Sequence, residues 1–226
     1  MKDSLGDRMK SYEAVYNHTL TPNSCVFIRV DGRAFHTFTK NLEKPFDSKF
    51  MASMEHSALQ VAKEMQGFKL AYVQSDEATF MLTDFDTPQS QSWFANELNK
   101  LVSITASLMS VHFNDVFRSD KLAVFDARAF VVPVDDAPNV FVWRQKDWLR
   151  NSLQMYCQSV FTHKEMQGKK TSDLHDMLYA KGLSWSSLPS VVKNGTFINY
   201  DFSTRPFSYD YADIREYIDE AINAKR

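Results

Sequence analysis

The sequence predicts an α+β protein: a ferredoxin-like β-α-β-β-α-β unit followed by a mostly helical C-terminal region. Three observations carry that expectation. Short runs rich in β-branched and aromatic residues stand at 25–30, 69–73, 78–82 and 125–132. Two longer stretches with apolar residues at helical spacing separate the first run from the second and the third from the fourth. Only four polar residues, Gln74-Ser75-Asp76-Glu77, divide the second run from the third, which is a hairpin spacing.

Taken in order, Cys25-Val-Phe-Ile-Arg-Val30 reads as a strand that stops at the turn signal Asp31-Gly32. Asp47 or Ser48 can cap a helix running to about Gln66, with Phe50, Met54, Ala58, Val61 and Met65 as its apolar stripe. Gly67 is a natural stop for it. The hairpin follows. From Ser90 to about His112, Phe94, Leu98, Leu101, Thr105, Leu108 and Val111 recur at helical spacing, and Phe125–Val132 is a strand closed by Pro133. Helices are expected from Asn139 to about His163, from Ser172 to Lys181, and from Tyr211 to about Asn223. Residues 191–200 fit either a strand or a hairpin. The expected division is a sheet domain of catalytic type over 1–135 and a helical region over 136–226 packed on it.

Composition narrows the class. The 226 residues are 44% hydrophobic and 24% charged, an ordinary globular balance with room for a substantial core. Two cysteines cannot staple a chain of this length, which points to a reducing compartment such as the cytoplasm. No apolar run reaches the roughly 20 residues of a membrane span, and no leader is expected in the mixed-charge N-terminus. The net charge of −2 hides an uneven spread. Residues 1–139 carry a net −4, residues 140–193 a net +4, and the tail −2. A basic segment beside an acidic one suits a protein that holds phosphates near metal-binding carboxylates, although a solvated mixed surface reads the same way.

The candidate chemistry lies at the strand ends. Asp31 ends the first strand, and Asp76 with Glu77 occupies the hairpin tip. A crossover helix returns the second strand beside the first, so these acids can become neighbours. Carboxylates so placed repel unless a cation lies between them, and hard oxygen ligands on an open site suit magnesium. Two such ions would support phosphoryl-type transfer. The alternative is that both are turn acids satisfied by backbone amides. Gly32 could admit a ligand close to the backbone, and the amides of Arg33, Ala34, Phe35 and His36 could cradle phosphate oxygens. Arg29, Arg33, His36 and Lys44 are nearby donors. Phe141, Trp143, Trp148 and Tyr156 fit a core cluster or a base-stacking platform. No zinc spacing, P-loop, dinucleotide fingerprint or nucleophile elbow is present.

These strings resemble the tRNA-histidine guanylyltransferases and their relatives, the guanylyltransferase-like 3′-to-5′ polymerases. The resemblance rests on Arg29-Val-Asp-Gly-Arg-Ala-Phe-His36 with Phe38, on Lys44-Pro-Phe-Asp47, and on Tyr72-Val-Gln-Ser-Asp-Glu77 with Phe80. Trp143-Arg-Gln-Lys-Asp147 leading to Arg150-Asn-Ser152 is also familial, so most of residues 25–200 is covered. The resemblance implies a palm-like sheet of the kind found in polymerases and nucleotidyl cyclases. It implies two magnesium ions on Asp31 and Asp76, with the carbonyl of Gly32 as a further ligand and Glu77 as an acidic residue needed for activity. Residues 31–36 and Ser75-Asp76 would bind the nucleoside triphosphate, ATP or GTP, and the polymer substrate would be tRNA. A homo-oligomer, by preference a tetramer, is also implied.

One departure refines the implied function. Members specific for histidine tRNA carry a His-Ile-Asn-Asn-type string where this chain has Leu149-Arg150-Asn151-Ser152, and only Asn151 matches. That favours the branch that restores missing 5′ nucleotides of truncated tRNAs over addition of a single guanylate to histidine tRNA. Arg144, Arg150, Asn151, Lys169, Lys170 and Lys193 are the expected tRNA contacts. A nucleotidyl cyclase and a non-catalytic RNA-binding module that keeps the fold are the readings from other classes.

Overall fold

The structure, a computed structural model, describes residues 4–205 and 210–224. After a short helix α1 (Leu5–Ala14) the chain enters the first strand, β1 (Cys25–Gly32). Two brief turns of helix, of which α2 (Phe35–Phe38) is one, lead to α3 (Ser48–Glu64). The hairpin β2 (Phe68–Gln74) and β3 (Glu77–Leu82), the helix α4 (Leu98–Phe117) and the strand β4 (Phe125–Val132) complete the β-α-β-β-α-β unit. Next come α5 (Ala137–Gln158), α6 (His163–Met166), α7 (Thr171–Ala180) and α8 (Ser190–Asn194). The strands β5 (Thr196–Asn199) and β6 (Thr204–Arg205) and the helix α9 (Tyr211–Asn223) follow.

The strands form one antiparallel sheet of order β4-β1-β3-β2-β5-β6. Its first four members have the ferredoxin-like order that the sequence predicts. Of the segment 191–200, read as strand or hairpin, the first part to Asn194 is instead the end of α8, and only Thr196–Asn199 forms a strand, β5, which pairs with β2 and continues the same sheet. The C-terminal region is therefore not helical throughout.

Alternation along β1 explains both faces. Val26, Ile28 and Val30 point into a core closed by α3 and α4, together with Phe80 of β3 and Phe113 of α4. Cys25 and Phe27 point the other way, onto Ala137 and Phe141 of α5 and Ile214 and Ile218 of α9. Because both faces are covered, all residues of β2 and β3 are buried, apolar on both faces through Leu70–Val73 and Phe80–Leu82. The two cysteines are free thiols inside the protein. No helix among the described residues is long and apolar enough to cross a membrane.

The helix α3 starts where its cap predicts, with the Asp47 carboxylate accepting from the Phe50 amide at 2.8 Å. The helix α4 departs from expectation. Phe94, Ala95 and Asn96 have φ of 49°, 50° and 58°, a left-handed stretch that breaks the helix before Leu98. Its buried stripe runs Leu101, Thr105, Met109, Phe113 and Phe117, so Phe94 and Val111 lie outward. The end of α5 also falls short of the expected His163, at Gln158, because Thr162 caps the next helix with Glu165.

Gly67 ends the first crossover at φ 77°, and a Cβ there would lie 2.1 Å from the Thr83 carbonyl oxygen. Gly67→Ala is expected to destabilise the protein by roughly 2–3 kcal/mol in urea denaturation, from left-handed strain plus a backbone clash. Gly168→Ala and Gly182→Ala are the controls, with φ of 75° and 71° and nothing within 4 Å of the added carbon. They should cost only the left-handed strain, about 1 kcal/mol each.

Candidate active site at the open end of the sheet

The second face of β1 changes character along its length. Cys25 and Phe27 are covered by α5 and α9, whereas Arg29 and Asp31, on the same face, lie past that cover. Register then brings acids together. Asp31 sits opposite Glu77 of β3 and opposite Asp126 of β4. Between β2 and β3 the chain turns on Ser75 and Asp76 alone, with Ser75 at φ 48° and Gln74 paired with Glu77. The turn is thus tighter than the four-residue break read from sequence. The Gly32 amide donates to the Asp76 carbonyl at 3.1 Å, which ties the end of β1 to the hairpin tip.

The electrostatics of this corner are unbalanced. Burial raises the Asp31 carboxyl, and the charge of Asp126 raises it further, against smaller opposing effects of Arg29 and Arg128. Asp76 is pushed up to about 6, first by burial and then by the charge of Asp31. A divalent cation beside these two carboxylates would favour their ionised forms and so offset the cost of burying them. Among the described residues no three His, Cys, Asp or Glu side chains converge as a ready-made metal cage. Two carboxylates on an open site suit magnesium, which retains waters and takes substrate phosphates as further ligands.

Glu77 has different surroundings from the other two. Arg144 of α5 donates Nε and Nη2 to its two carboxylate oxygens at 2.6 and 2.7 Å, and both residues are buried. Arg144 also donates to Asp147 at 3.0 Å. It is therefore an internal clamp rather than a free phosphate donor, and Glu77 faces that clamp.

The loop after β1 is partly as expected. Arg33, Ala34 and His36 are exposed and Ala34 has φ 56°. The amide of Arg33, however, already donates to the Val124 carbonyl at 2.8 Å. The ring of Phe35 is buried and lies over Gly32, where an added Cβ would fall 2.3 Å from it. Packing of Phe35 by itself requires glycine there. His36 pairs with the Thr37 hydroxyl at 3.0 Å, and Lys44 donates to the Thr39 carbonyl at 3.0 Å.

Two clefts meet at the hairpin tip and share Ser75, Asp76, Met155 and Gln158. One, of about 530 Å³, is lined by His36, Lys44 and Pro45 among others. The other, of about 600 Å³, contains Arg29, Asp31, Trp143, Asn151 and Gln154. Part of the basic middle segment gathers in a third groove of about 490 Å³ that holds Lys146, Arg150 and Lys193. Arg150 and Asn151 both donate to Asp147, and Lys193 lies 5.4 Å from the ring centroid of Trp185. Lys169 and Lys170 are exposed before α7. Of the four aromatic residues read as core or platform, Phe141 and Trp148 are buried, Tyr156 is half-buried and Trp143 is 51% exposed.

Sequence reading missed Asp126 and Arg128. Their signal was present: in Phe125-Asp-Ala-Arg-Ala-Phe130 the charged residues share one face of β4, but which strand β4 pairs with decides whether that face is functional.

A sheet of this order, with two carboxylates brought together at a strand end and a hairpin tip, fits a palm-type phosphoryl-transfer enzyme, and the family places it among the nucleotidyltransferases. The chain belongs to the tRNAHis guanylyltransferase (Thg1) family, whose sequence model matches residues 6–133. It is an enzyme of that kind. It is similar to a bacterial tRNA(His) guanylyltransferase (Thg1)-like protein whose structure was solved with ATP. That likeness has 36% identity, 95% of this chain, 99% of the other and a TM-score of 0.90. A bacterial Thg1-like protein solved with GTP is 35% identical over 98% of this chain and 100% of its own, with a TM-score of 0.83. The tRNA(His) guanylyltransferase of Debaryomyces hansenii is 28% identical over 90% of this chain and 83% of its own length.

Proposed function

We propose that this enzyme is a magnesium-dependent 3′-to-5′ nucleotidyltransferase that restores nucleotides missing from tRNA 5′ ends. The observation that carries the reading is the pair Asp31 and Asp76, both raised by burial, tied together through Gly32 and lining two clefts. Asp31, Asp76 and the Gly32 carbonyl would hold magnesium, which supplies charge to polarise phosphate oxygens and to activate an attacking oxygen. His36 and Lys44, with Arg33 and the loop amides of Ala34 and Phe35, would bind the triphosphate, while Arg29, expected from sequence to join them, lines the neighbouring cleft beside Trp143. The ATP and GTP bound to the two similar proteins support nucleotide substrates of this class.

In this reading the tRNA 5′-phosphate oxygen attacks the α-phosphorus of ATP and releases pyrophosphate. The 3′-hydroxyl of an incoming GTP then attacks the activated 5′-phosphorus and releases AMP. Residues 1–135 carry the chemistry, while Arg150, Asn151, Lys169, Lys170 and Lys193 of the remainder grip tRNA phosphates. The enzyme works as a homotetramer in the cytoplasm.

Leu149-Arg150-Asn151-Ser152, without the familial histidine, supports repair over histidine-tRNA maturation. The test compares two substrates: a tRNA lacking its first nucleotide but keeping the pairing 3′ strand, and a full-length histidine tRNA. Extension of the truncated tRNA at a rate at least about tenfold higher is expected, a gap of about 1.4 kcal/mol in transition-state stabilisation. Preference for the histidine tRNA would reverse the assignment.

A further inference from the structure

We propose that Trp143 is a stacking platform for the base at the polynucleotide end being extended, a role that rests on the function proposed above. Trp143 is 51% exposed, whereas Trp93 and Trp148 are buried. Its neighbours on α5 are built into the protein. Phe141 packs on Phe27 and Phe197, and Trp148 on Phe46. The contacts of Trp143 are instead with guanidinium groups: those of Arg144 and Arg29 lie 4.6 and 5.3 Å from its ring centroid. Arg144 is itself fixed by its two bonds to Glu77. A large ring thus rests against a cation fixed by Glu77 while half its surface remains open, so a ligand stacking on it orders little that is not already ordered.

The position of the ring selects the ligand. Trp143 lines the cleft that contains Asp31, Asp76, Asn151 and Gln154. His36 and Lys44, the donors proposed for the triphosphate, line the other cleft across Asp76. If the mononucleotide occupies that side, the chain that reacts with it must reach Asp76 through the Trp143 side. The amide side chains of Asn151 and Gln154 there match the edges of a base or sugar, and the recessed polar setting does not suit insertion into a lipid surface. Stacking is indifferent to base identity, as an enzyme that extends different 5′ ends requires.

The probe is a 5′-monophosphorylated RNA hairpin with a fluorescent purine analogue at its first position. Binding to the wild type should quench the analogue. Trp143→Ala should weaken hairpin binding about tenfold and abolish the quenching, and Trp143→Phe should retain most of both. GTP affinity, measured by calorimetry, should be unchanged in both variants. Trp143→Ala that binds and quenches the hairpin like the wild type would overturn the platform alone. Loss of GTP affinity in Trp143→Ala would assign the ring to the mononucleotide and also overturn it. A wild type that binds GTP but not the hairpin would overturn the polynucleotide reading beneath it.

Discussion

Asp76→Asn should lower nucleotide addition to a 5′-truncated tRNA by about 10³-fold, since several kcal/mol of charge stabilisation are lost with the metal site. The same substitution should make the metal-free protein more stable than the wild type at about pH 8. The two effects have one cause. Asp76 is raised from 3.8 to about 6, by burial first and by Asp31 second. A carboxyl whose folded value lies above its unfolded one holds its proton more tightly in the folded state. Stability is therefore lost as pH rises from near 4 to near 6, and above that window the ionised group remains a liability. Asparagine removes the charge at nearly constant shape. Melting curves of both proteins across this range, with and without magnesium, provide the check. Magnesium should raise the melting temperature of the wild type and leave Asp76→Asn unmoved. An Asp76→Asn protein that is less stable than the wild type at about pH 8 and responds equally to magnesium would mean that no cation site exists there.

Arg144→Ala should destabilise the protein by about 3–5 kcal/mol, because it leaves the buried Glu77 carboxylate without its two hydrogen bonds. For a chain of this size that is a fall of roughly 10 °C in melting temperature. Arg144→Lys should recover only part of the loss, since an ammonium cannot reproduce the two-pronged contact. Pairing Arg144→Met with Glu77→Gln should be milder than either expected from adding the single losses, because no buried charge is then left alone. Had Arg144 been a surface phosphate contact, as its place in the basic segment suggested, its removal would change RNA affinity and salt dependence without moving the melting point. Arg150 and Lys193, which line the open groove, keep that expectation.

Much of the sheet domain was legible because its signals are local. Cys25–Val30, the Asp47 cap, the Gly67 stop and the alternation in Phe125–Val132 depend on neighbours a few residues away. The phase of α4 was misread for a reason that is also local but carries no marker. A left-handed stretch at Phe94-Ala95-Asn96 contains no glycine, so the apolar spacing ran on through a break that only the backbone reveals. Residues 191–200 stayed ambiguous because a four-residue strand is defined by its partner, β2, more than by its own composition.

The functional corner divides in the same way. The sequence by itself determined that Asp31 closes a strand, that Asp76 sits on a hairpin tip and that residues 140–193 are basic, since turn chemistry and charge are written residue by residue. Only the tertiary structure decided that Glu77 is held by Arg144, that Asp126 stands beside Asp31, and that Trp143 alone among its aromatic neighbours on α5 stays open to the cleft. The reason is physical. Which carboxylate is free and which is clamped depends on desolvation and on charges brought in from other elements, and those distances exist only after β4, β1 and β3 have paired and α5 has crossed their face.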